Sequence, residues 1–69
     1  MLLKKILSLK ESCERDGQHP LGIRLTPEQA REVRWELHQL YGFDPGPELM
    51  PLYGMEVLAT DADTMTLAE

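Results

Sequence analysis

Residues 25–43, LTPEQAREVRWELHQLYGF, read as one helix with both ends marked. Thr26 can accept a hydrogen bond from the Gln29 amide, and the Gln29 side chain can reach back to the Thr26 amide. This is a capping box. Pro27 falls at the first helical position, where a missing N–H costs nothing. Leu25 precedes the cap and can pack on Ala30. Gly42 suits the left-handed residue that stops a helix, with apolar Phe43 just past it. Asp44-Pro45-Gly46-Pro47 then prevents continuation. The helix is expected over 27–41.

Between the caps, Ala30, Val33, Leu37, Leu40 and Tyr41 recur at three- and four-residue spacing and form the expected buried face. Glu28, Glu32 and Glu36 run at four-residue spacing along another side. Trp35 borders that acidic row, with Arg31 one turn earlier at a spacing that permits cation–π contact. Two readings of Trp35 stand. It either completes the core beneath the N-terminal segment, or it is an exposed anchor for a partner.

Working outward, residues 2–15 form a first helix. Leu2, Ile6, Leu9 and Cys13 share one face, with Leu3 and Leu7 beside it. Residues 16–22 are a connection in which Gly17 ends the helix. Ile23-Arg24-Leu25 alternates and can make a short strand. After the central helix, Leu49, Met50 and Leu52 plug the open end of the helix pair. A β-hairpin is expected from 54–60 and 63–68, turning at Asp61-Ala62-Asp63. Met55, Val57 and Ala59 fall on its inner face, and Leu58 on its outer face. The fold class is α+β: two helices followed by a C-terminal hairpin, with a short third strand at 23–25.

Sixty-nine residues make one small domain. A core of that size supplies about 3–5 kcal/mol, which leaves little room for a deep cleft. The apolar fraction of 42% is enough to fold. Cys13 is the single cysteine and cannot close an internal disulfide, which fits a reducing cytoplasm. No signal peptide and no run of about 20 apolar residues is found.

The net charge is −5 and unevenly placed. Residues 1–41 hold all seven Lys and Arg, whereas residues 42–69 hold only acids among their charged groups. A direct nucleic-acid binder is not expected from this balance. Asp61 and Asp63 are far short of a calcium loop, and the spacing of Cys13, His19 and His38 matches no zinc pattern. No phosphate-cradling loop or nucleophile elbow is present. No cofactor, no metal and no enzymatic activity are therefore expected.

Two stretches, Gly22–Ala30 and Leu52–Val57 followed by an acidic turn and Thr66-Leu67, resemble short accessory proteins of bacteriophages and prophages. Some of these are anti-CRISPR inhibitors. The resemblance lies in size, charge and layout, and carries over no site residues. It implies a non-enzymatic inhibitor in the cytoplasm of a bacterial host. The acidic rows, the small size and the absence of catalytic constellations add the expectation that it occupies a basic, nucleic-acid-binding surface of a host protein or nucleoprotein complex. The candidate contact residues are Glu28, Glu32, Glu36 and Trp35 on the helix, with Glu56, Asp61 and Asp63 in the hairpin. The alternative is a structural or assembly component of a phage particle, with an apolar contact centred on Trp35, Leu58 or Met55. A homodimer is compatible with either.

Overall fold

The computed structural model describes residues 1–46 and 48–69. Five elements follow in order: α1 (Leu2–Arg15), β1 (Gly22–Arg24), α2 (Pro27–Tyr41), β2 (Glu56–Ala59) and β3 (Thr66–Ala68). The class is α+β, and both helices keep the spans expected from the sequence. Pro47, part of the proposed stop after α2, lies outside the described residues.

Each helix end is satisfied in its own way. The capping box of α2 is complete: the Gln29 N–H donates to Thr26 Oγ1 at 3.2 Å, and the Thr26 N–H donates to Gln29 Oε1 at 3.1 Å. Gly42 is left-handed at φ 79°, and its N–H donates to the His38 carbonyl. At the end of α1, the N–H groups of Gly17 and Gln18 donate to the carbonyls of Glu14 and Cys13, a Schellman motif. The start of α1 has no side-chain cap of its own.

The sheet corrects the expected hairpin. β1 pairs parallel with β2 and antiparallel with β3, so the strand order is β2-β1-β3. The two C-terminal strands lie on opposite sides of β1 instead of pairing. The third strand is thus the centre of the sheet. α2 is the crossover that parallel neighbours require, and a two-stranded hairpin alone is marginal. Ile23 faces Val57 on one side and Leu67 on the other, and this row packs on the helices.

The tight turn also moves. Leu52 and Met55 exchange both backbone hydrogen bonds, at 2.8 and 2.9 Å. Between them Tyr53 and Gly54 have φ of 51° and 83°. A two-residue turn with two positive φ values is type I′. Residues 60–65, which contain the expected hairpin turn at Asp61-Ala62-Asp63, instead carry the chain across the end of β1, where the Ala62 N–H donates to the Leu25 carbonyl.

The register skips Leu58, since Ile23 faces Val57 but Arg24 faces Ala59. That bulge lays Leu58 over Gly22, where a Cβ would stand 2.5 Å from Leu58 Cδ1. Met55 is fully buried and Val57 and Ala59 are half-buried, as their alternation implied. The core runs from Leu2, Leu3 and Ile6 through Val33 and Leu37 to Leu25, Leu52 and Met55. Leu49 and Met50 pack against it. Leu9, expected on the buried face of α1, is exposed, and Cys13 is half-buried. Among the described residues, no helix is long and apolar enough to cross a membrane.

Candidate functional site: the outward face of α2

Trp35 is 62% exposed, so it does not complete the core beneath the N-terminal segment. Helix geometry gives the reason. Trp35 lies two residues before buried Leu37, so its side chain leaves the helix about 160° away from the core direction. Met1, Leu40, Gln39 and Glu32 join it, with the edge of Glu36, around a shallow depression of about 500 Å³.

The same geometry separates Glu36 from the acidic row. Each four-residue step turns about 40° around the helix, so Glu36 lies about 80° from Glu28 and toward Val33 and Leu37. Its side chain is buried at 4% exposure. Its two oxygens accept from the Leu2 and Leu3 N–H groups, both at 3.0 Å. Glu36 therefore caps α1 from another helix, placing a carboxylate where the helix dipole favours one. It is not free to meet a partner, which corrects its expected contact role. Glu28 and Glu32 remain exposed.

On the other side of Trp35 lie Arg31, Arg34, His38 and Asp44. Arg34 Nε and Nη2 donate to the two Asp44 oxygens, each at 2.8 Å, in a half-exposed fork. The Arg34 hydrogen bonds, helped by the Gly46 N–H, hold the Asp44 carboxyl well below the ordinary carboxylate range. The Asp44 hydrogen bond raises Arg34 in turn. Among the described residues, no cation–π pair forms at Trp35.

Two residues expected in the core are outside it. Leu40 and Tyr41, in the last turn of α2, are exposed, beside the start of α1 at Met1 and Leu3. Phe43 is exposed too, with its ring centroid 6.1 Å from that of Tyr41. Leu40, Tyr41 and Phe43 are the contact candidates that sequence reasoning missed. The spacing of Leu40 and Tyr41 fits the buried stripe and Phe43 follows the Gly42 stop, so only the packing around the end of α2 reveals that all three stay more than half exposed.

The remaining candidates belong to the sheet layer. Glu56 is exposed on β2, and Asp61 and Asp63 are exposed where the chain crosses the end of β1. They are not assembled with Glu28, Glu32 and Trp35 on the outward side of α2. Met55, one possible centre of an apolar contact, is in the core, while Leu58 is partly exposed above Gly22. Among the described residues, no group of three or more His, Cys, Asp or Glu can hold a metal ion. Comparison with protein families, with curated proteins and with solved structures returns no match to this chain.

Proposed function

We propose that this chain is a non-enzymatic binding protein whose contact is apolar and centred on Trp35, with Leu40, Tyr41 and Phe43 extending it. The carrying observation is the exposure of Trp35 beside Leu40 and Met1 in one depression. Contiguous apolar surface rimmed by polar groups marks interaction sites, and Trp and Tyr dominate hot spots. An apolar centre favours the role of a small structural or assembly component, in phage or prophage context, over electrostatic mimicry.

A specific observation keeps the second reading in play. Exposed Glu32 borders the Trp35 depression and exposed Glu28 lies one turn further toward the start of α2, so a matching surface would present Lys or Arg beside an apolar socket. An anti-CRISPR-like inhibitor seated on a basic, nucleic-acid-binding surface of a cytoplasmic host complex meets that description. It draws on Glu28 and Glu32 without Glu36.

The test begins with affinity capture from a bacterial lysate to identify the partner. Its affinity for Trp35→Ala and for the double reversal of Glu28 and Glu32 to Lys is then measured with and without competing DNA. Trp35→Ala is expected to weaken binding about 30-fold or more, the scale of a hot spot, and the reversal only a few-fold. If the reversal abolishes binding, DNA competes and Trp35→Ala is neutral, the apolar reading gives way to the inhibitor.

A further inference from the structure

A second cavity adjoins the Trp35 surface through Leu40. Its floor is buried Leu3, Leu37 and Leu52, and its rim includes Leu40, Tyr41 and Tyr53. The volume is about 110 Å³ and none of the lining residues is charged. Small-molecule sites are several times larger, about 300–1,000 Å³. An apolar cavity of about 150 Å³ admits benzene, so this one suits a single branched aliphatic side chain.

The rim is held at a cost in backbone strain. Tyr53 has φ 51°, a left-handed conformation that a bulky side chain rarely adopts. The first central position of a type I′ turn favours Asn, Asp or Gly. Strain of this kind clusters at sites where the residue is needed for contact. Charge supplies the orientation. Lys10 Nζ donates to the Tyr53 carbonyl oxygen at 2.7 Å, and among the described residues its ammonium makes no ion pair. Two of its three donors remain for a ligand.

We propose that this cavity is a side-chain socket for a protein partner, taking a leucine-like side chain whose neighbouring carboxylate meets Lys10. The socket deepens the apolar reading of α2 and rests on it, since it adds a specificity pocket to the same contact surface. Tyr53 is then retained for recognition, against the preference of the turn.

The experiment is a two-dimensional NMR titration of the full chain with N-acetylleucine, N-acetylleucine amide and N-acetylalanine. N-acetylleucine should shift Leu3, Leu37, Leu52 and Tyr53 saturably. Its amide should bind about threefold or more weakly as the Lys10 contact is lost, and N-acetylalanine should leave the socket unmoved. Tyr53→Asn creates the preferred Asn-Gly turn. It should unfold at the same or higher urea concentration, while its N-acetylleucine response falls at least severalfold. Shifts confined to Trp35 and Met1, equal responses to all three probes, or a lowered unfolding midpoint for Tyr53→Asn would each overturn the socket. None of those results removes the Trp35 contact, which is tested separately by partner affinity.

Discussion

Glu36 shows how one residue can belong to the fold while resembling surface. Its carboxylate closes two of the open N–H groups at the start of α1, and charged hydrogen bonds of this kind contribute more than neutral ones. Glu36→Ala should cost about 2–3 kcal/mol, read from urea denaturation, because it leaves two buried donors unpaired. Glu36→Gln keeps an acceptor and should cost less. Equal, small losses would mean that water replaces the carboxylate without penalty. Asp44 behaves differently, being exposed. Its folded-state pKa is depressed by Arg34, so its stabilising contribution is present above the ordinary carboxylate range. It is lost as pH falls through the lower folded value. An NMR titration should find the Asp44 carboxyl still ionised where an unperturbed one is half-protonated, and Arg34→Gln should return it toward the ordinary range. An ordinary midpoint in the unaltered chain would show that the fork does not persist in solution.

At the scale of elements, the local signals were legible and the distant ones were not. Thr26, Pro27, Gln29 and Gly42 fixed α2 because capping is written within a few residues. β1 has three residues, and both of its partners lie more than thirty positions downstream. No local pattern states that it sits between them. The bulge at Leu58 and its close approach to Gly22 were hidden for the same reason. Trp35 was visible as an anomaly on the helix, but the place of α1 was needed to show it bare. Leu37→Ala should cost about 2–5 kcal/mol as a cavity in the core, and Thr26→Ala about 1 kcal/mol through the lost cap. Denaturation midpoints of the two variants should keep that order. On the sheet, Gly22→Ala should destabilise by driving Leu58 off its seat. Adding Leu58→Ala should recover part of the loss, a non-additivity that neighbours show. Strict additivity would place the two side chains apart.

For the whole molecule, the two layers divide the work. The sheet and the inner faces of both helices supply a core for a chain whose margin is only about 3–5 kcal/mol. Trp35 on the outward side of α2, and Leu40, Tyr41 and Phe43 at its C-terminal end, are left in water. Exposed aromatics add nothing to that core, and Leu40, which borders both the Trp35 depression and the cavity beside Tyr41, links them into the surface that the binding proposal explains. A second copy is one partner that this surface could take, although a net charge of −5 opposes self-association at low salt. Because Trp35 is the only tryptophan, its fluorescence reports on the surface directly. The measurement is indole emission with quenching by acrylamide, in the free chain and in complex with the captured partner. The free chain should emit as a water-exposed indole and quench freely, and complex formation should shift the emission to shorter wavelength and protect it. A buried-indole spectrum in the free chain at monomeric concentration, or an unchanged, fully quenchable one in the complex, would contradict a contact centred on Trp35.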